Sequence, residues 1–476
     1  MSQTPMSALD AMNGERPIPG ASERYFPGPA YHRYLIGLVL ANIAISAVWG
    51  MCGILIPNQI QILETAHWFT GADAGANIQQ LSLLQQHISA GAATATAEQS
   101  RLLAILAHFN AAKASSLAIV TAVGVAVTML MQPLIGVVSD RTRNRLGRRA
   151  PWILFGALAG GAVFALLPFA PSVFIVGLLY TVGQVLINVA QSPVAATLAD
   201  RVQERHLGTA SSLGGFGGFL GIIGGAVFTG MMFETFGLGI YTMIAAFVAG
   251  ACVVFVVIAP DRSSRDQAVA PFHWKTFLLG FTIALRSANF RWVWIARVLL
   301  TFGMSTSLTL GIYMMQSYIH PALSAAEATL LAPKLYLAAA PLSMLSTILA
   351  GRLSDRLGRR KPFVIASSLI LAASFVIPIV SPTLPALFLQ AAVSGLAYGI
   401  FIPIDQALFI DVLPDAKSAG RDLGVAQLGF NMGQAIGPIA AGIVVSMTGG
   451  YLGVWITGIV TVMLAAIAIL PVKGVR

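Results

Sequence analysis

Long apolar runs broken by short polar stretches occupy the chain from residue 34 onward. About 20 helical residues cross the roughly 30 Å of hydrocarbon in a bilayer. Twelve runs of that order can be marked off, at 34–57, 114–138, 150–170, 173–198, 208–231, 237–259, 293–318, 332–350, 362–380, 384–410, 422–447 and 450–471. The runs are continuous rather than alternating every second residue, and a span must satisfy its own backbone groups, so helices are predicted and a barrel is not. Between the first two runs, residues 62–112 form a long outer segment with two amphipathic stretches, "IQQLSLLQQHISAG" and "SRLLAILAHFNAA". Each is predicted to be a helix, lying on the membrane surface in preference to capping the outer mouth. Residues 1–33 read as a disordered cytoplasmic tail: the first 30 are polar and rich in Pro and Gly, with no apolar core of the kind a cleaved signal needs.

Composition agrees with an integral membrane protein. The 476 residues are 57% hydrophobic and only 10% charged, with 47 glycines and a mean hydropathy of +0.79. The net charge of +10 raises the question of nucleic acid, which the positions of the charges answer. With the amino terminus inside, only Arg101, Lys113 and Lys334 of the 28 Lys and Arg fall in outer segments, and Arg297 lies within a span. The rest are inner, the asymmetry that orients helices in a membrane. A multi-pass protein of the cell membrane with both termini cytoplasmic is expected, with no nucleic-acid partner. Cys52 and Cys252 sit inside apolar runs without a Cys or His cluster, so neither a disulfide framework nor a metal site is indicated.

The chain contains an internal repeat. "GVVSDRTRNRLGRRAPW" (Gly136 to Trp152) returns as "GRLSDRLGRRKPF" (Gly351 to Phe363), and Arg145–Arg149 and Arg356–Arg360 are the same five letters 211 positions apart. Asp200 and Asp411 are also 211 apart, and "RHLG" at Arg205 is followed by "RDLG" at Arg421. Two six-helix halves are predicted, 34–260 and 292–471, joined by a cytoplasmic linker at 261–291. Repeats of this kind place a binding site between the halves near mid-membrane.

The duplicated G-x-x-x-D-R-x-x-G-R-R resembles the signature of the major facilitator superfamily, and the likeness covers essentially the whole chain. Its first copy carries four extra residues, "RTRN", a form similar to the plant-type sucrose/proton symporters and their bacterial relatives, whose fourth span "INVAQSPVAATLAD" also resembles. Those symporters carry an arginine in the fourth span where this chain has Ala195. The resemblance implies an all-α membrane protein of twelve helices in two pseudo-symmetric bundles, a single chain sufficing, with the first, fourth, seventh and tenth helices lining a cavity. It also implies a gating motif at Gly136, Asp140, Arg141, Gly147, Arg148 and Arg149 and at Gly351, Asp355, Arg356, Gly358, Arg359 and Arg360. A carboxylate at a helix end can accept from the free amides at a neighbouring helix start. By the pseudo-symmetry that the resemblance implies, Asp140 is expected against the start of the eleventh span near Arg421 and Asp422, and Asp355 against the start of the fifth near Gly208, when the cavity faces out. Within and beside the motif, Arg141, Arg143, Arg145 and Lys361 are expected chiefly to fix topology and meet anionic headgroups.

Polar residues inside spans are costly and mark cavities or partners. Gln184, Asn188 and Gln191 in the fourth span, Gln427, Asn431 and Gln434 in the eleventh, and Asn42, Ser46 and Trp49 in the first each follow i, i+4, i+7, hence one helix face apiece. Amides and an aromatic plane suit sugar hydroxyls and ring faces, while amides that only glue helices together are the alternative for any one of them. In the tenth span Asp405 lies six residues before Asp411, about 9 Å deeper at ~1.5 Å per residue, with Tyr398 on its face; Arg297 has a similar depth on the seventh. Asp405 and Arg297 are candidates for handling a coupling proton or, equally, for a permanent ion pair.

The glycine run "GGFGGFLGIIGG" follows no strand and repeats every four residues, so it predicts close helix packing rather than a phosphate loop. "GQAIGPIAAG" (Gly433 to Gly442) has a form that drug/proton antiporters carry in the fifth span, here found in the eleventh. No nucleophile, metal, cofactor or ATP-binding pattern is present, so the energy for transport is expected from a gradient. The reading is a secondary transporter importing a sugar (di- or oligosaccharide or glycoside) with protons. Proton-driven export of drugs is the alternative, and a non-transporting scaffold ranks below both.

Overall fold

In the computed structural model, which describes residues 28–265, 283–413 and 419–473, the chain is helical throughout and no strand occurs among those residues. The amino-terminal tail up to residue 27 and the central part of the predicted linker, 266–282, lie outside them. The spans are α1 (Pro29–Trp68), α3 (Ala97–Asp140), α4 (Ala150–Leu166), α5 (Val173–Arg201), α6 (Glu204–Phe236) and α7 (Ile240–Ile258) in the first half. In the second they are α8 (Ala288–Thr309) with its bent continuation α9 (Gly311–Ser317), α10 (Ala325–Leu357), α11 (Lys361–Val380), α12 (Leu384–Asp411), α13 (Ala419–Thr448) and α14 (Leu452–Ala468). A short α2 (Ile78–Ser89) lies between α1 and α3.

By length and apolarity alone, nine helical stretches of the described residues reach across a membrane, or ten if the 48° bend between α8 and α9 is counted within one span. One of the nine, 54 residues long, turns back at Gly237–Gly239 and comprises both α6 and α7; α14 is a shorter apolar helix of 17 residues. Each of the twelve runs marked in the sequence therefore matches a helix, although 150–170, 237–259 and 450–471 run past the ends of α4, α7 and α14, and 293–318 takes in the break between α8 and α9.

The halves repeat each other's packing. In the first, α1 packs on α6 and α7, α5 on α3 and α4, and α4 on α7; in the second, α8 packs on α13 and α14, α12 on α10 and α11, and α11 on α14. Small residues allow the closest of these approaches. A Cβ added to Gly221 or Gly225 of α6 would overlap the carbonyl oxygen of Ile43 or Ala47 on α1. In the equivalent place, Cβ atoms at Gly433 and Gly437 of α13 would stand 2.6 and 2.7 Å from the carbonyl oxygens of Val298 and Phe302 on α8. Backbone carbonyls in a helix cannot step aside as a side-chain tip can. Gly225→Leu is therefore expected to prevent accumulation of folded protein, measured as loss of the monodisperse peak after detergent extraction, because overpacking of well-packed helices costs ~1–3 kcal/mol even where the neighbours yield. Leu at Gly224, whose added Cβ meets nothing within 4 Å, is the tolerated control.

The outer segment differs from expectation. The stretch "SRLLAILAHFNAA" is no separate surface helix but the first turns of α3, started by a capping box between Thr96 and Gln99. Phe69, Leu81, Leu106 and Phe109 form a small core of their own under α2. Arg101 reaches back to Asp73 with two bonds of 2.6 and 2.8 Å, which hold the Asp73 carboxyl below its ordinary value. The α2 helix caps one end of the bundle: Gln86 donates to the Ile319 carbonyl at 2.7 Å and accepts from the Ala322 amide at 3.1 Å, both in the second half. Lys113, counted in the sequence among the outer charges, is fully buried in α3, its ammonium 4.8 Å from the Phe109 ring and 4.7 Å from the Tyr313 ring.

Candidate functional site

A cavity of about 460 Å³ opens between the halves. From the first half it is walled by Trp49 of α1, Gln132 of α3, and Gln184, Asn188 and Gln191 of α5; from the second by Asn431 and Gln434 of α13. Proline shapes the second wall. Pro438 has no N–H to bond the Gln434 carbonyl one turn back, and that oxygen accepts from the Ser305 hydroxyl of α8 at 3.2 Å instead.

The amides form a continuous chain across the cavity. Gln427 donates to Asn431 Oδ1 (3.3 Å), Asn431 Nδ2 donates to Gln132 Oε1 (3.2 Å), Gln132 Nε2 donates to Asn188 Oδ1 (3.0 Å), and Asn188 Nδ2 donates to the Gln184 carbonyl (2.9 Å). The contact between Gln132 and Asn431 joins the two halves. Asn431, Gln132 and Asn188 each both give and take a hydrogen bond, so a ligand presenting adjacent donors and acceptors can replace these links without leaving an amide unpaired.

Six of the nine residues predicted to bind substrate, Trp49, Gln184, Asn188, Gln191, Asn431 and Gln434, line this cavity. Asn42, Gln427 and Tyr398 do not. Asn42 shares a face with Trp49, but α6 crosses that face lower down, and its amide bonds back to the Leu38 carbonyl beside Gly214. Gln427 is exposed and joins the chain only through Asn431. Tyr398 stands on α12, which contributes nothing to the cavity wall because Gly395 and Gly399 hold it close against α10. Gln132, at the middle of the chain, was not singled out in the sequence, although an amide inside the second span, next to Pro133, carries the same signal as those in the fourth and eleventh.

Arg297 and Asp405 meet. Arg297 Nε donates to Asp405 Oδ2 at 2.6 Å, its Nη2 reaches Gln406 Oε1 at 3.3 Å, and the guanidinium lies 4.1 Å over the Phe409 ring. Both residues are buried, at 4% and 3% exposure, and neither lines the central cavity. In a low-dielectric interior either charge alone is unfavourable, and the two with their hydrogen bonds compensate each other.

The duplicated motif builds an ion-pair cluster at one end of each half. In the first, Arg149 bonds Ser139 at 2.7 Å and Asp200 at 3.0 Å and pairs with Asp140, while Arg148 also pairs with Asp200. In the second, Arg360 pairs with Asp411 at 2.7 Å. Arg149 and Arg360, like Asp200 and Asp411, are the 211-residue equivalents, so the spacing of the repeat already held this pairing. Gly147 and Gly358 occupy the left-handed region, at φ +89° and +59°, which explains glycine at these two motif positions.

The expected latches between halves are not made in this conformation. Asp140 turns to Arg149 of its own half and is half exposed; Asp355 is exposed without an ion-pair or hydrogen-bond partner among the described residues; open space surrounds Gly208. The side chain of Arg421 lies outside the described residues. At the opposite end the halves are joined. Tyr313 donates to the Pro57 carbonyl (2.8 Å), Thr329 to Asn58 Oδ1 (2.9 Å), and Lys113 to Gln316 Oε1 (3.3 Å). The halves are thus closed together at the end away from the motif.

A family model described as Major Facilitator Superfamily matches residues 38–388 and again 310–475. No curated protein matches the chain in sequence. Among solved structures, a mutant of the nucleoside transporter NupG is 15% identical, with a TM-score of 0.67 over 92% of this chain and 100% of that one. A bacterial homolog of the human lysosomal transporter Spinster, in an inward-facing and occupied conformation, is 14% identical, with a TM-score of 0.66 over 95% and 98%. At such identities the likeness is one of fold. The family match over nearly the whole chain, on a fold of two equivalent helical bundles around a central cavity, makes this protein a multi-pass membrane transporter of the major facilitator superfamily.

Proposed function

We propose that the protein imports a sugar, in the form of a di- or oligosaccharide or a glycoside, together with protons, by alternating access in the cell membrane. The observation that carries the reading is the chain of amides across the cavity from Gln427 through Asn431 and Gln132 to Asn188. Sugars present vicinal hydroxyls that give and accept, the pattern those amides satisfy among themselves. Trp49 adds an aromatic plane for a ring face. Asp405, paired with Arg297, is the candidate proton carrier: the pair separates when the second bundle repacks, and the carboxyl then takes up a proton because it is unfavourable as a lone buried charge. With both termini cytoplasmic, this conformation is inward-facing, and Asp140 and Asp355 find their partners across the halves in the outward-facing one. A monomer contains the whole apparatus.

Export of apolar drugs has less support. Gly433 and Gly437 of the antiporter-like sequence face α8 and Gly442 faces Ala118 of α3, so each has a packing role here. Proteoliposomes containing the purified protein are expected to accumulate at least one labelled sugar from a panel of mono- and disaccharides and glycosides when the exterior is acidic, and to lose accumulation when the gradient is collapsed by a protonophore. Equal uptake with and without the gradient, or uptake of no sugar, overturns the proposal.

A further inference from the structure

Beside the central cavity lies a second, smaller one of about 110 Å³, in the part of the second half near the closed end. The two share walls: Gly53, Leu308, Thr309 and Tyr336 border both. Tyr336 stands on the partition, its hydroxyl 3.5 Å from where a Cβ on Gly53 would lie. Where the central cavity is lined by amides, the side cavity is lined mainly by apolar groups, among them Met314, Met315, Leu335 and Leu387. The break between α8 and α9 lies in its wall at Thr309 and Gly311.

Its wall also includes an unmatched polar group. Trp455 is 3% exposed, borders the side cavity, and its indole N–H has no acceptor among the described residues. Buried donors are ordinarily paired, and an unpaired one costs about 1–3 kcal/mol. Mostly apolar walls with the unused Trp455 donor, and the Gln390 amide also at the wall, fit an aromatic group that carries an acceptor oxygen.

We propose that the side cavity is a second subsite, which takes the aglycone of an aryl glycoside whose sugar occupies the amide-lined cavity, with Tyr336 at the junction. This rests on the reading of the central cavity as a sugar site and narrows its substrate to glycosides with an aromatic aglycone. An apolar cavity of about 150 Å³ is known to admit benzene, so the space is of the right order for a single ring. Methionines suit such a wall because their unbranched thioethers adapt to the face and edge of a ring.

The test uses the full-length protein in detergent, with matched methyl and 4-nitrophenyl glycosides of glucose, galactose and xylose titrated calorimetrically. For a sugar that binds, the 4-nitrophenyl glycoside is expected to bind about tenfold or more tightly than the methyl glycoside, from burial of the ring. Ala391→Leu and Ala332→Leu, each filling the side cavity from a different helix, are expected to bring that ratio close to one while leaving the methyl glycoside's affinity as it was. Trp455→Phe keeps an aromatic ring, removes the donor and is expected to reduce the ratio in part. Equal affinities in the unmodified protein, or a ratio unchanged in Leu variants that remain monodisperse, overturns the subsite and leaves the sugar reading standing. Binding of neither member of any pair removes both. If one Leu variant fails to fold, the other and Trp455→Phe still decide.

Discussion

Asp405→Asn is expected to abolish uptake against a concentration gradient while preserving exchange of labelled for unlabelled substrate across the membrane. The asparagine keeps an oxygen toward Arg297, and Gln406 and the Phe409 ring remain in place around the guanidinium, so the bundle should still fold. What it removes is the group that can gain and lose a proton. An exchanger needs only to bind substrate and reorient, whereas accumulation needs the proton gradient to enter the cycle. Counterflow and proton-driven uptake in the same proteoliposomes separate the two, and undiminished uphill uptake by the variant ends the role of Asp405 as the proton carrier. Asp405→Ala is predicted to behave differently again. It leaves Arg297 buried without its carboxylate, a loss of about 3–5 kcal/mol, visible as a lower unfolding temperature whether or not a proton is carried. An ion pair with a purely structural role would show the stability loss in both variants and no split between exchange and accumulation.

Asn431→Ala and Gln132→Ala are each expected to raise the apparent KM for the transported sugar by roughly 10- to 100-fold, since each leaves neighbouring amides and a sugar hydroxyl without a partner, about 1–3 kcal/mol. The two side chains touch across the halves at 3.2 Å, so the double variant should fall short of the sum of the single effects. Asn42→Ala provides the contrast. It belongs to a polar stripe just as regular, but α6 covers it and its amide bonds only to its own helix, so KM is expected to change little. Similar KM values for Asn431→Ala, Gln132→Ala and Asn42→Ala would remove the amide chain from substrate binding.

The contrast between Asn42 and Gln132 shows where reading a linear pattern stops. Spacing puts Asn42, Ser46 and Trp49 on one face of α1, and they are there; whether that face meets a cavity or a neighbour depends on the line along which α6 crosses it. Gln132 shares its helix face only with Thr121 and Thr128, a stripe with a single amide that spacing alone does not set apart, yet α3 carries it to the seam where both halves reach it. The outer segment makes the same point with polar groups. The amides of Gln79 and Gln86 look suited to a membrane surface, but the carbonyls and carboxylate they bond belong to Ile319, Ala322 and Glu327, more than two hundred residues away. Lys113 reads as a solvated charge at a span end and instead lies between two aromatic rings from opposite halves.

From the letters alone came the number and place of the spans, the division into two related halves, and the family. Transfer into hydrocarbon depends on the summed apolarity of about 20 consecutive residues, a local property, and a duplication is preserved as literal spacing, so Arg149 with Asp200 and Arg360 with Asp411 stand 211 apart whatever the fold. The tertiary structure alone decided which amides meet, that Arg297 lies against Asp405, that the latch carboxylates are unengaged across the halves, and that a side cavity adjoins the central one. Those outcomes are set by crossing angles, by glycine-permitted approaches and by the relative placement of two bundles, and each depends on atoms distant in sequence that no periodicity brings together.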